Sequence, residues 1–159
     1  MNNTAKLFLL GLGVIFIYGS GQVVRREMLD LKYFDRSEFG LWWPLMSVDV
    51  LTKLDAFREA WGAPVMVSPA IGGLGREDNS GSMHNVLKWG EVRALDVFPR
   101  GMDTLADRRR AYQIAKNVGF TGIGLYTDTK PSNMLHLDNR NEPEYWTRVE
   151  GEYNYRVIA

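Results

Sequence analysis

The chain holds two histidines, His84 and His136, and each sits beside polar or acidic residues in a segment bounded by turn formers. One histidine in polar surroundings is ordinarily a hydrogen-bonded side chain, so neither carries an argument alone. His136 stands in Met134-Leu135-His136-Leu137-Asp138, where two leucines alternate with the histidine and an aspartate. On a strand the leucines face the core, and His136 and Asp138 share the opposite face about 6.5 Å apart at ~3.3 Å per residue. Asp96 stands in Val92-Arg93-Ala94-Leu95-Asp96-Val97-Phe98, an ionisable residue inside apolar strand text. A carboxylate buried there requires a metal, a cation or several donors; a salt bridge to Arg93 or Arg76 is the plainer alternative. Two imidazoles and a carboxylate are a sufficient zinc set, because three ligands at about 2.0 to 2.2 Å leave a fourth position open for water. Zinc activates that water, and a nearby carboxylate passes its proton to a leaving amine. The chain has no cysteine, so any transition-metal site must use histidine and carboxylate.

Several elements must position these groups. Val48, Leu51, Leu54, Phe57 and Trp61 recur at helical steps, with Ser47 or Asp49 to cap the start and Gly62 to end it. A second helix is expected over about residues 104–118, with Asp103 as N-cap, a solvated cluster at Arg108, Arg109 and Arg110, and Gly119 as the stop. Strand text covers residues 65–68, 92–98, 122–126 and 134–139. Helices and strands do not alternate regularly, which predicts an α+β domain with a small, mainly antiparallel sheet carrying helices on one side. The 159 residues suit one catalytic or binding domain, here residues 47–159, with residues 25–46 read as a linker. Nineteen basic and nineteen acidic residues give zero formal charge, so nucleic acid is set aside as a partner.

Residues 7–18 form an apolar run, LFLLGLGVIFIY, preceded by Lys6 and followed by small residues. A signal peptide, a retained membrane anchor and a buried core helix all fit. The anchor is preferred: extended through Val24 the run has 18 residues, about 27 Å of helix at ~1.5 Å per residue. Residues 1–24 are thus expected as an N-terminal apolar helix and the chain as membrane-anchored or exported, in a cell envelope or a virion. Arg25 and Arg26 outweigh Lys6, which favours the soluble part on the cytoplasmic side.

The order Ser80-Gly81-Ser82-Met83-His84, Ala94-Leu95-Asp96, Gly122-Ile123-Gly124-Leu125-Tyr126, Leu135-His136-Leu137-Asp138 and Trp146 resembles the zinc peptidases that act on peptidoglycan. That family includes D-alanyl-D-alanine carboxypeptidases, vancomycin-resistance dipeptidases and phage L-alanyl-D-glutamate endopeptidases of the endolysin type, and shares its fold with the hedgehog signalling domain. The resemblance covers residues 47–146. It implies His84, Asp96 and His136 as Zn2+ ligands, and wall peptide as the partner. It also implies that Arg76, in Ile71-Gly72-Gly73-Leu74-Gly75-Arg76, binds substrate carboxylate, a task for which a guanidinium fork is suited, with Ser82 beside it. The chain departs from the pattern twice. Eleven residues, 85–95, separate His84 from Asp96 where the family has six, so a loop with Lys88, Trp89 and Gly90 must bulge outward. Asn133 stands where the family's acid usually precedes the last histidine. Asp138 is the candidate general base, with Glu91 and Asp128 in reserve; equally, Asp138 is a partner that orients the His136 imidazole. The expected function is a zinc peptidase of the cell wall. The rival is a non-catalytic virion or envelope protein that keeps the fold.

Overall fold

A computed structural model describes residues 8–9, 14–15, 29–78 and 80–156. The chain divides into two compact units, Met1–Asp30 and Leu31–Ala159. In the first, β1 (Phe8–Leu9) pairs antiparallel with β2 (Val14–Ile15), Phe8 opposite Ile15 and Leu9 opposite Val14. These four residues are strand where an apolar helix was expected, and the rest of the expected anchor lies outside the described residues. Gly11 and Gly13 interrupt the run, and each disfavours a helix by about 1 kcal/mol relative to alanine. Among the described residues no helix is long and apolar enough to cross a membrane.

The second unit is α+β. Its strands are β3 (Val65–Val67), β4 (Ala94–Pro99), β5 (Gly122–Tyr126), β6 (Met134–Asp138), β7 (Glu144–Val149) and β8 (Glu152–Tyr155). They form one six-stranded sheet in the order β3-β4-β6-β5-β7-β8, antiparallel except for the β5–β7 pair. Two helices, α1 (Val48–Trp61) and α3 (Leu105–Asn117), pack on each other and on β4 and β5 respectively. Leu95, Val97, Leu125, Leu135 and Leu137 are fully buried with Leu54, Phe57, Ala111 and Ala115. Burying each of the large side chains contributes about 1.5 to 3 kcal/mol. A slip of one residue would turn a strand's whole apolar set to the other face, so this core fixes the register.

Local chemistry explains the ends. Gly62 closes α1 at φ 76°, a left-handed position that a side chain resists. The N-cap of α3 is Thr104, one residue after the expected Asp103, because Thr104 and Asp107 form a reciprocal capping box. Residues 25–46, read as a linker, join the compact unit from Leu31 onward. A 3-10 segment, Arg36–Leu45, buries Phe39 and Trp43, and beside the sheet Leu45 O accepts from Val92 N while Ser47 N donates to Val92 O. Two strands, β7 and β8, escaped the sequence reading. Both central residues of their two-residue turn, Glu150 and Gly151, have positive φ, the geometry of a tight hairpin turn.

Candidate metal centre

The register that buries the leucines sets the site residues on the other face of the sheet. Asp96 on β4 lies opposite His136 on β6, His136 opposite Gly124 on β5, and Gly124 opposite Trp146 on β7. The adjoining row runs Ala94, Asp138, Gly122, Glu144. Two of these positions are cut away for their neighbours. A Cβ on Gly124 would stand 2.5 to 2.6 Å from the Trp146 indole, and one on Gly122 would overlap the Asp138 carboxylate. The Gly-x-Gly of β5 therefore makes room for the two side chains that flank His136.

His84 arrives from outside the sheet, on the long connection between β3 and β4. That connection is tied down by backbone bonds: Asp96 N to Gly73 O at 2.8 Å, Arg76 N to His84 O at 2.9 Å and Arg93 N to Met83 O at 3.0 Å. The extra residues after His84 do bulge outward, as a short helix α2 (Val86–Trp89). Asn85 caps its start by accepting from Leu87 N and Lys88 N, and Gly90 closes it at φ 74°. Ser82 Oγ accepts from His84 N at 3.3 Å, and the Trp89 indole donates to the Ser82 carbonyl at 2.9 Å.

His84, Asp96 and His136 come together as a group that can hold a metal ion. Their nearest atoms form a triangle: His84 Nε2 to His136 Nδ1 is 3.2 Å, His136 Nδ1 to Asp96 Oδ1 is 2.9 Å, and His84 Nε2 to Asp96 Oδ1 is 3.5 Å. Tetrahedral ligands at about 2.0 to 2.2 Å from zinc stand roughly 3.3 to 3.6 Å apart, so the donor set fits with small adjustments. The far nitrogen of each ring is also engaged. His84 Nδ1 meets the Leu74 carbonyl, and His136 Nε2 meets Asp138 Oδ2 at 2.9 Å. Each bond places a proton on that nitrogen and turns the other nitrogen of the ring into the triangle, where on His136 a bound metal would replace the proton shared with Asp96. Asp96 bonds to the imidazoles rather than to an arginine; Arg93 pairs with Glu91, and Arg76 Nε donates to the Gly72 carbonyl.

Charge follows this geometry. Burial would raise Asp96, but hydrogen bonds from His136 and His84 outweigh it and hold the carboxyl well below the usual range. Burial would lower His136, but its bonds to Asp138 and Asp96 push it up to about 9. Burial would likewise raise Asp138, and His136 and Arg140 reverse this and keep it ionised.

Asp138 does not sit where a proton acceptor for the triangle would be. It is fully buried, lies on the Nε2 side of His136, and is absent from the cleft wall. Its oxygens accept from Arg140 Nε at 3.0 and 3.1 Å, from an Arg140 terminal nitrogen at 2.6 Å and from Arg140 N at 3.0 Å. These contacts, with His136 Nε2 and Arg140, are the ones an orienting carboxylate makes. The reserves are elsewhere: Glu91 holds Arg93, and Asp128 holds Arg148 and Gly151 N. Asn133 turns away to donate to the Met102 carbonyl at 2.7 Å.

The triangle opens into a cleft of about 390 Å³ whose wall includes Arg76, Ser82, Arg140, Arg148, Tyr126 and Trp146. Arg76 and Ser82 thus share one cleft with the three candidate ligands. Among the described residues that line it, Asp96 is the one carboxylate and three arginines are present. Trp146 lies 5.3 Å from the His136 ring, with the Arg140 guanidinium 4.9 Å over its own ring. Sequence reasoning missed Arg140, Tyr126 and Arg148; the arginine two residues after Asp138 was the one available signal, as a partner for that carboxylate. No family model, no curated protein and no solved structure matches the chain.

Proposed function

We propose that this protein is a zinc-dependent peptidase that hydrolyses a peptide bond in bacterial cell-wall peptidoglycan. The observation that carries the reading is the triangle of His84 Nε2, His136 Nδ1 and Asp96 Oδ1 at the floor of an open cleft. Both imidazoles have their second nitrogen bonded, which aims the other nitrogen of each at one point. Zinc suits a set of two nitrogens and one oxygen, and it supplies Lewis acidity toward a carbonyl together with activation of water. The substrate assignment rests on the motif resemblance and on the arginines of the cleft, which suit the carboxylates of a wall peptide.

The chain's own residues then have separable tasks. Leu74 and Asp138 fix the imidazole orientations, and Arg140 keeps Asp138 ionised. Arg76 binds a substrate carboxylate. Trp146 and Met83 exclude water from the flank of the site.

Purified peptidoglycan incubated with the full chain tests the reading. Release of amino termini in the presence of zinc, loss with a chelator and recovery on adding zinc back are expected. Cleavage that a chelator does not touch, or a protein that retains no metal by elemental analysis, would sink it. One observation favours a second reading, a non-catalytic envelope or virion protein that keeps the metal: among the described residues the cleft offers no carboxylate beyond Asp96 to carry a proton. Tight zinc binding and peptidoglycan retention with no bond cleavage would decide for that alternative.

A further inference from the structure

Tyr126 ends β5, two positions beyond Gly124, and the register sets it beside Met134 on β6 and Arg148 on β7. It lines the same cleft as the three ligand atoms. Its phenol is held from several sides. Trp146 Nε1 donates to its oxygen at 3.1 Å, and the Arg148 guanidinium lies 4.6 Å over its ring. Arg148 is itself fixed by Asp128 at 2.9 and 3.1 Å, and Asp128 by Gly151 N at 2.7 Å. The Tyr153 ring meets Tyr126 edge-on at 6.2 Å.

A phenol oxygen can accept and can donate once. The Trp146 indole occupies it as an acceptor and the Tyr153 side chain is its other polar neighbour, so what Tyr126 can offer a ligand in the cleft is its O–H, turned from Tyr153 toward that ligand. Burial pushes the phenol above its ordinary value, so the proton stays on near neutral pH. Of the other donors on the cleft wall, Arg140 is bonded to Asp138 and Glu144 and Arg148 to Asp128, while Arg76 is the one assigned to a substrate carboxylate.

We propose that the Tyr126 hydroxyl donates a hydrogen bond to the oxyanion of a substrate bound against His84, Asp96 and His136, which makes the cleft a site for tetrahedral oxyanions. The proposal rests on the reading of this cleft as a metal-dependent hydrolytic centre. When water adds to a peptide carbonyl, a carbon–oxygen bond forms and the carbonyl π electrons move onto its oxygen. The carbon–nitrogen bond then breaks, and both protons of the water end on the leaving nitrogen, so the products are an ammonium group and a carboxylate. A donor fixed in advance stabilises the oxygen while it carries charge, and costs no reorganisation at that moment.

Tyr126→Phe removes one hydroxyl and leaves the ring, its packing and all three ligands in place. The test titrates methylphosphonate, a stable tetrahedral oxyanion, into the zinc-loaded full chain and into Tyr126→Phe by calorimetry. Zinc affinity, measured by competition with a chromophoric chelator, should be the same in both. Methylphosphonate affinity should fall by about 10- to 100-fold in the variant, the loss of one hydrogen bond to a charged group. Equal affinity in the two proteins, or no methylphosphonate binding by the unsubstituted chain, overturns the proposal. If the variant binds more weakly but neither protein cleaves peptidoglycan, the oxyanion site stands and the peptidase reading falls. If the unsubstituted chain cleaves peptidoglycan and Tyr126→Phe matches its kcat and methylphosphonate affinity, the peptidase reading stands and this one falls.

Discussion

His136 is bonded on both of its nitrogens to carboxylates, Asp96 on one side and Asp138 on the other. Without metal that arrangement holds two protons, which is the physical cause of its raised value of about 9. A metal ion must displace the proton on Nδ1. The sign of the pH dependence therefore differs between the two states. In chelator-treated protein the folded value lies above the unfolded one of about 6.5. The stability contributed by His136 is then complete below about pH 6.5 and disappears as pH rises through 9. Zinc affinity runs the opposite way and should increase roughly tenfold per pH unit below 9. Zinc titrations and urea midpoints with chelator, at about pH 6, 7 and 8, check both slopes, and a flat zinc affinity would remove the assigned proton. Substitution separates the roles of the carboxylates. His84→Ala and His136→Ala should abolish zinc binding, whereas Asp138→Asn should keep it with a loss of about 10- to 100-fold, the usual cost of removing a ligand's orienting partner. Full affinity in Asp138→Asn would show that His136 does not need it.

The strands that present the site were readable for a specific reason. In β4, β5 and β6 the core-facing leucines, isoleucine and valine alternate with Asp96, His136, Asp138 and two glycines, so the same period names the buried face and the chemical face. The strand β7 was not legible, because Glu144 and Arg148 on the site face and Tyr145 on the other leave no clean alternation. All four residues of β8 are exposed, so no burial pattern marks it. The approach of His84 could not be read at all, since it depends on backbone bonds from Gly73, Arg76 and Met83 that leave no trace in side-chain types. The glycines of β5 are the testable part of this layer. Gly124→Ala drives a methyl into the Trp146 indole, and Gly122→Ala drives one into the Asp138 carboxylate. Each should cost about 1 to 3 kcal/mol of stability, as overpacking does, with a weakened zinc site. Pairing Gly124→Ala with Trp146→Leu should recover part of the stability, because the two residues touch and their effects do not add. Additive losses in urea melts would mean that the indole is not the obstacle.

At the scale of the whole molecule, the three ligands come from places far apart in sequence, the connection after β3, the strand β4 and the strand β6. Unfolding separates them, so the folded chain can hold a metal ion at this group and the unfolded chain should do so poorly. That coupling makes metal binding measurable without any substrate. A ligand that binds only the native state adds RT ln(1 + [L]/Kd), about 2.7 kcal/mol at a hundredfold excess over Kd. For a chain of this size each kcal/mol moves the midpoint by roughly 2 to 4 °C. The full chain should therefore melt roughly 5 to 11 °C higher in zinc at that excess than in chelator, with a shift that grows logarithmically with free zinc. His84→Ala should melt at one temperature under both conditions, because two remaining ligands on adjacent strands cannot close the site. A shift of the same size in His84→Ala would place the bound zinc somewhere other than the triangle.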